Sequence, residues 1–159
     1  MFTYCDYDFE SVLRRQTCYL PQEMIIVTDY YPTGTRKELS HFTWLGELKT
    51  VWGFDAVGRV TSKVEYECGA RVESFEREYG QRGTFEQITY NDLGEAYLWC
   101  DGVFEGGRSR FVESKDLLPP EKRAAMRLRN FSRLERKMGR NLVRPDAMQL
   151  RRGFVERSR

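Results

Sequence analysis

Apolar and polar residues follow two different periods along this chain. Between residues 70 and 119, short runs rich in aromatic and β-branched residues are separated by glycines, which predicts short strands joined by tight turns. The runs are ARVESFEREY, TFEQITY, EAYLWC and RSRFVE, and the segment KDLLPP closes them. After Pro119 and Pro120 apolar residues recur every three or four positions, which predicts an amphipathic helix. The predicted fold class is α+β, with a small bent antiparallel β-barrel over 70–119 and a helical tail over 120–159.

The first 69 residues are expected to pack on this barrel or to extend it. Asp8 is a suitable N-cap for a short helix from Phe9 to Gln16, which Pro21 would end. The run from Met24 to Tyr31 is apolar, short and bounded by prolines, and therefore predicts a buried strand. A second strand is expected around 59–67, where apolar and polar residues alternate. No internal repeat is strong enough to claim.

The order of features from Val72 to Pro119 resembles an SH3-like small barrel of the KOW or Tudor type. The matching residues are Gly83-Thr84 opening a strand, Gly94 before EAYLWC, Asp101-Gly102 in a hairpin, and Phe111-Val112 leading to Asp116-Leu117-Leu118-Pro119. The resemblance covers only residues 70–119. It implies a binding module for RNA, DNA or a peptide and implies no catalytic activity, because a fold alone does not assign a function.

Charge is distributed unevenly along the chain. The formal net charge is only +2, yet residues 119–159 contain 13 Lys and Arg against 4 Asp and Glu, so the remainder of the chain is acidic. This asymmetry points to a basic arm for a polyanion, or to a tail that docks on the acidic body. Guanidinium groups suit contacts with phosphates and bases. The predicted nucleic-acid contacts are Arg127, Arg129, Arg133, Arg136, Lys137 and Arg140.

These observations lead to three hypotheses about function. The first is a non-enzymatic module that binds RNA, DNA or a nucleoprotein through the basic helix. The second is an adaptor or inhibitor, of a kind that would suit a phage or mobile-element effector, whose acidic barrel face engages a basic surface. The third is a dimer seam along the helix through Leu128, Phe131 and Leu134. The residues predicted to bind protein in the second hypothesis are Tyr97, Trp99, Glu76, Glu78, Glu86 and Glu113.

A further possibility is an aromatic platform on which bases stack, formed by Tyr90, Tyr97, Trp99 and Phe111, although such residues are more often core. The acidity of the surrounding barrel argues against a groove that follows phosphates at this place. The platform therefore stays secondary to the basic helix in the nucleic-acid hypothesis.

Catalytic and metal chemistry find little support in the sequence. Asp29, His41 and Asp55 are the only acid–base mixture close in sequence, and no nucleophile motif or phosphate-binding loop accompanies them. We therefore expect no catalytic residue and no cofactor. The four cysteines form no CxxC pair, and His41 has no Cys or His at ligand spacing, so no metal site is expected. The chain opens on no signal peptide and contains no apolar run of the ~20 residues that span a bilayer, so we expect a cytoplasmic protein with reduced thiols and no membrane partner.

Overall fold

A computed structural model describes the backbone of residues 1–155 and the side chains of residues 1–138. The chain forms two compact units, Met1–Leu117 and Leu118–Arg159. The first unit contains all the described strands, and the second contains one helix.

The first unit is an open antiparallel sheet in which every strand pairs with its neighbours in sequence. Short strands joined by tight hairpins favour this order, because antiparallel neighbours need only a short connection. The strands are β1 (Phe2–Tyr7), β2 (Leu13–Leu20), β3 (Met24–Tyr30), β4 (Arg36–Thr43), β5 (Leu48–Phe54), β6 (Val60–Glu67), β7 (Ala70–Tyr79), β8 (Thr84–Tyr90), β9 (Ala96–Glu105) and β10 (Arg108–Asp116). A short 3₁₀ turn, Gln81–Gly83, lies between β7 and β8.

One turn geometry recurs along the sheet. In each case the N–H of the first residue donates to the carbonyl four residues later, and the N–H of the fourth residue donates back to the first carbonyl. The fourth residue has a positive φ, which glycine adopts without steric cost. Three of these turns follow one another at intervals of 12 residues, so the sheet is a structural repeat that the sequence analysis did not detect. The turns begin at Asp8, Tyr31, Thr43, Asp55 and Asn91.

The predicted N-terminal helix is wrong, and Asp8 explains why. Its Oδ1 accepts hydrogen bonds from the N–H groups of Glu10 and Val12, both at 2.9 Å. An aspartate that binds the next backbone donors favours a turn as readily as a helix start. In this chain the turn forms, because it allows Leu13–Leu20 to pair with β3 as strand β2. Residues 9–16 are therefore divided between the turn and β2.

The predicted closed barrel is also wrong, since β1 and β10 are the two ends of one open sheet. Asp101 and Gly102, predicted to form a hairpin, lie inside β9 and pair with β8 on one side and β10 on the other. A Cβ added at Gly102 would come within 2.5 Å of the Phe85 ring and of the Arg110 carbonyl oxygen. Glycine is therefore required at this position for close packing and not for a turn.

The two faces of β7–β10 carry different side chains, because successive residues of a strand point to opposite sides. Pairing places Phe75, Arg77, Tyr79, Phe85 and Phe111 on one face, which we call the aromatic face. The opposite face carries Glu76, Glu78 and Glu86, and we call it the acidic face.

Ring and guanidinium contacts hold the aromatic face together. The rings of Phe85 and Phe111 meet edge to face at 5.6 Å, and the guanidinium of Arg77 lies 4.2 Å from the centre of the Phe85 ring. Phe85 is 2% exposed, and Cys100, two strand positions from Gly102, is also buried. Aromatic pairs and cation–π contacts of this kind stabilise a surface beyond the area that they bury.

The second unit contains the helix α1 (Pro120–Val155). Pro120 is its first residue, where proline is favoured, and Glu121 lies in its first turn, where a negative charge complements the helix dipole. The change of period after Pro119 predicted this start correctly, and the helix continues past Gly139.

Candidate functional site

Four carboxylates form a row across the acidic face. Glu78 pairs directly with Glu86, Glu86 with Asp101, and Asp101 with Glu113, so the row crosses β7, β8, β9 and β10. Adjacent strands are about 4.8 Å apart, so the row extends for about 15 Å. We call these four residues the carboxylate row.

The charges of the carboxylate row are accessible. Glu78, Glu86 and Glu113 are exposed, and none of the four residues forms an ion pair with another side chain in residues 1–138. Asp101 is half-buried, and its Oδ1 is shielded from solvent without a hydrogen-bond partner among the described atoms. A buried acceptor without a donor costs free energy, so Asp101 adds to the cost of the carboxylate row in the free protein.

A more apolar row lies beside the first on the same face. It crosses the same strands through Glu76, Ile88, Trp99 and Lys115. The Tyr90 hydroxyl donates to Oε2 of Glu76 at 3.2 Å, and burial together with this carboxylate raises the pKa of Tyr90. The acidic face therefore presents negative charge next to half-buried apolar surface at Ile88 and Trp99.

A groove of about 490 Å³ lies at one end of this face. Glu78, Glu86 and Asp101 line it together with the apolar side chains of Val103 and Val112. Val112 sits where the pairing of β10 with β9 shifts by one residue, because Phe111 pairs with Gly102 and Glu113 with Asp101. This bulge sets Glu113 in line with the other three carboxylates.

The structure separates the two aromatic residues predicted to bind protein. Trp99 lies on the acidic face with the predicted glutamates. Tyr97 is the extra residue at a register shift between β8 and β9, and its hydroxyl donates to Oε2 of Glu73 at 2.8 Å. Glu73 lies two residues before Phe75 in β7 and therefore on the same face, so Tyr97 belongs with the aromatic face. Burial, together with the hydrogen bond to Glu73, raises the pKa of Tyr97.

The predicted stacking platform does not come together either. Tyr90 and Trp99 lie on the acidic face, whereas Tyr97 and Phe111 lie on the aromatic face. The ring of Phe111 packs against Phe85 and Arg77. A single strand of nucleic acid could not stack on all four rings.

The predicted nucleic-acid contacts lie on α1. At 100° per residue, Arg129, Arg133, Arg136 and Lys137 fall within an arc of about 100°, while Arg127 lies on the other side. Arg127, Arg136 and Lys137 are exposed, and Arg129 and Arg133 are half-buried. Arg140 lies beyond residue 138, outside the part of the chain whose side chains are described.

The apolar stripe of α1 lies opposite this basic arc. Leu128, Phe131 and Leu134, the residues of the predicted dimer seam, are all more than half exposed. The stripe is therefore available to a partner, but nothing in the described structure identifies what covers it.

The acid–base residues considered for catalysis lie in separate environments. Asp29 accepts two hydrogen bonds from Arg15, at 2.6 and 2.9 Å, and Asp55 caps a turn and accepts from Nε of Arg59 at 2.7 Å. His41 is in β4, paired with Ile26 and Thr50. Within residues 1–138 no group of three or more potential ligands could hold a metal ion. Burial, with the nearby Asp101 carboxylate, raises the pKa of the Cys100 thiol, which makes that cysteine a poor nucleophile.

The chain matches no protein-family model and no curated protein sequence. Within the part that the structure describes, no helix combines the length and apolarity needed to cross a bilayer.

Sequence reasoning selected Glu76, Glu78, Glu86 and Glu113 by charge alone and missed Asp101 and Ile88. Two signals could have found them. Alternation within β8 and β9 puts Ile88 in phase with Glu86, and Asp101 in phase with Trp99. The second signal is the regular spacing of glycines, which would have indicated where each hairpin turns and therefore which residues pair. The glycines at positions 34, 46, 58, 94 and 106 all fall on one 12-residue interval.

Proposed function

We propose that the sheet is a non-enzymatic protein-recognition module whose acidic face binds a polypeptide segment rich in Lys and Arg. The carboxylate row carries this proposal. Its four members are adjacent on four strands, and no described side chain neutralises them through an ion pair.

The row has an energetic cost in the free protein. Like charges directly opposite each other across a strand pair are destabilising, by about 0.2–1 kcal/mol for each pair. A partner that brings cations to Glu78, Glu86 and Glu113 would relieve this repulsion. Binding would then gain from charge complementarity and would weaken as salt screens it.

The apolar row favours a polypeptide over other polycations. Lys and Arg place their charged ends in polar surroundings while their aliphatic stems lie on apolar surface. Ile88 lies two residues from Glu86, and Trp99 lies two residues from Asp101, so both offer that surface next to the carboxylates on the same face. The same carboxylates would repel the phosphates of a nucleic acid.

The test is a titration with a fluorescein-labelled peptide in which Arg and Lys alternate with Leu, followed by fluorescence anisotropy at two salt concentrations. The test variant of the full chain carries Glu78→Gln, Glu86→Gln and Glu113→Gln. The control variant carries the same charge change at three exposed glutamates outside the row, Glu10→Gln, Glu23→Gln and Glu105→Gln.

We expect the row variant to lose at least about tenfold in affinity, equivalent to 1.4 kcal/mol, and the control variant to change by less than about twofold. Equal losses in the two variants would mean that net charge, and not the row, attracts the peptide. An unmodified chain that does not bind the peptide would overturn the proposal.

We propose nucleic-acid binding by α1 as a second function, because four of its basic residues fall on one side of the helix and Arg136 and Lys137 are exposed. The test variant is Arg129→Gln, Arg133→Gln, Arg136→Gln and Lys137→Gln, measured with labelled RNA and DNA of equal length. The slope of log affinity against log salt should become shallower by about 0.9 for each lost contact with duplex phosphate. An unchanged slope and affinity would exclude this side of the helix as the contact surface.

A further inference from the structure

The two outer edges of the sheet are protected to different degrees. An exposed edge strand offers unpaired backbone groups, and proteins protect such edges with charged residues or bulges. β10 has both: its pairing shifts between Phe111 and Glu113, and five of its residues are charged. The charged residues of β10 are Arg108, Arg110, Glu113, Lys115 and Asp116.

β1 has less of this protection: Asp6 is its one charged residue, and its pairing with β2 shifts only at its end, between Asp6 and Tyr7. Its sequence, FTYCDY, contains no Lys, Arg or Pro, and its regular pairing with β2 extends from Phe2 to Asp6. Phe2 is 73% exposed and Tyr4 is 63% exposed, and both lie on the same face as Tyr19 of β2, which is also exposed. Aromatic residues on an unpaired edge of high β propensity favour the addition of another strand.

The backbone groups available at this edge can be identified. The N–H of Asp8 donates to the Val12 carbonyl and therefore faces β2. Because backbone groups of successive residues in a strand point to opposite sides, those of Tyr7, Cys5 and Thr3 point away from β2. Among the described residues, nothing pairs with that side of β1.

We propose that β1 pairs with β1 of a second copy of this chain, antiparallel and about a two-fold axis through Tyr4. In this register Thr3 of each copy faces Cys5 of the other, so the outward backbone groups of both residues are paired. Tyr4 faces Tyr4 at the closely spaced position between these pairs, where side chains are nearest. The two sheets thereby become one continuous sheet with β10 at each end.

A second copy fits this edge better than another part of the sheet does. A two-fold interface needs a self-complementary surface, and β1 provides one because its central residue, Tyr4, forms a favourable aromatic pair with itself. The other edge in each copy, β10, is blocked by its charges and its bulge. The dimer would present two carboxylate rows far apart, which allows bivalent binding of a partner that carries two basic segments.

The first test measures the molar mass of the full chain by sedimentation equilibrium from about 1 to about 200 μM, because an interface this small is expected to be weak. Thr3→Pro removes an N–H that faces away from β2, so it should abolish the dimer and leave the fold intact. It also removes the Thr3 hydroxyl, which donates to Sγ of Cys18 at 3.8 Å, and the control variant loses the same group. Thr3→Val keeps that N–H and is the matched control, which should remain dimeric. The circular dichroism of both variants should match that of the unmodified chain.

If Thr3→Pro should fail to fold, Tyr4→Lys provides the same test, because it brings two like charges together at the axis. We expect this variant to be monomeric at every concentration. A monomeric unmodified chain at the highest concentration would overturn the proposal, and so would a dimer that survives in the folded Thr3→Pro or Tyr4→Lys variant.

A second test measures the register directly. Cα atoms of a hydrogen-bonded antiparallel pair are about 5.5 Å apart, within the range that a disulfide can bridge. Thr3→Cys should therefore form a dimer linked by disulfides to Cys5 when a mild oxidant removes two electrons and two protons for each bond. Each of these cysteine variants also carries Cys18→Ser, because Cys18 of the same chain lies opposite residue 3 and would otherwise compete for the new thiol. Thr3→Cys combined with Cys5→Ser should lose the link. A covalent dimer that persists in the double variant, or no covalent dimer from Thr3→Cys, would contradict this register.

Discussion

The aromatic face and the acidic face are built from alternate residues of the same strands, yet they meet opposite physical requirements. On the aromatic face, the guanidinium of Arg77 lies within 5.9 Å of the centres of three phenylalanine rings. It also donates hydrogen bonds to Gln87 and Ser109. On the acidic face, the carboxylates of Glu78 and Glu86 face each other without an ion pair among the described residues. One face holds the sheet together, whereas the other keeps unneutralised charge at a cost in stability. Because of this contrast, we propose the acidic face as the recognition surface.

The largest effect is expected from Phe85→Ala. Phe85 is almost fully buried and touches Tyr79, Phe111 and Arg77, so its removal should lower the free energy of unfolding by about 3–5 kcal/mol. Urea denaturation monitored by circular dichroism would measure it. Ile88→Ala, on the acidic face of the same strand and only half-buried, is the control and should cost clearly less. Equal losses would mean that the two faces do not differ in their contribution to stability.

Arg77→Lys is expected to have the next largest effect. Lysine keeps the positive charge but cannot reproduce the fork with which Arg77 reaches Oε1 of Gln87, at 2.7 and 3.2 Å, while lying over the rings. The Gln87 oxygen would be left buried without its donor, at a cost of about 1–3 kcal/mol. The control is Arg110→Lys, because Arg110 is an exposed residue of β10 and this variant measures the effect of replacing arginine by lysine at an ordinary surface position. Thermal unfolding of both variants would distinguish a specific arginine role from a general charge requirement.

Glu86→Gln should act in the opposite direction on stability. It removes the central charge that faces both Glu78 and Asp101, so the free energy of unfolding should rise by about 0.2–1 kcal/mol. Binding of the basic peptide should fall in the same variant. A stabilising change that weakens binding is the expected mark of a functional surface. If Glu86→Gln instead destabilises the sheet, the charge of Glu86 has a structural role.

The smallest effect concerns acid stability at the repeated turns. Burial acts to raise the pKa of Asp55, but the hydrogen bonds and charge of Arg59 outweigh it, and the pKa is lowered from the usual 3.8. A carboxyl with a lower pKa in the folded chain stabilises the fold above 3.8, and this contribution disappears as the pH falls through the lowered value. Asp55→Asn keeps the Oδ1 acceptor but cannot titrate. Its stability should therefore fall less between pH 5 and pH 2 than that of the unmodified chain, as measured by urea denaturation, and identical profiles would contradict this role.

The sequence alone was informative about the local elements of the chain. A short apolar run bounded by prolines predicted β3, alternation predicted β6, and runs of aromatic and β-branched residues between glycines predicted β7 and β8. The change of period after Pro119 predicted the start of α1 at Pro120. These predictions succeeded because side-chain periodicity and proline geometry are local properties. Asp8 shows the limit of such reasoning: its carboxylate can cap a helix or a turn with the same hydrogen bonds, and only the pairing of β2 with β3 selects the turn.

Tertiary structure decided how the strands are arranged and which residues share a face. Gly102 and Asp101 resemble a hairpin in sequence, but the Phe85 ring lies where a side chain at residue 102 would project. The acidity of the body was evident from composition, but the row from Glu78 to Glu113 depends on the register of four strands and on the bulge beside Val112. Register is a property of paired strands, because a shift by one residue moves every side chain to the other face. The sequence therefore determined which charges and strands are present, and only strand pairing decided that four carboxylates would meet in one line.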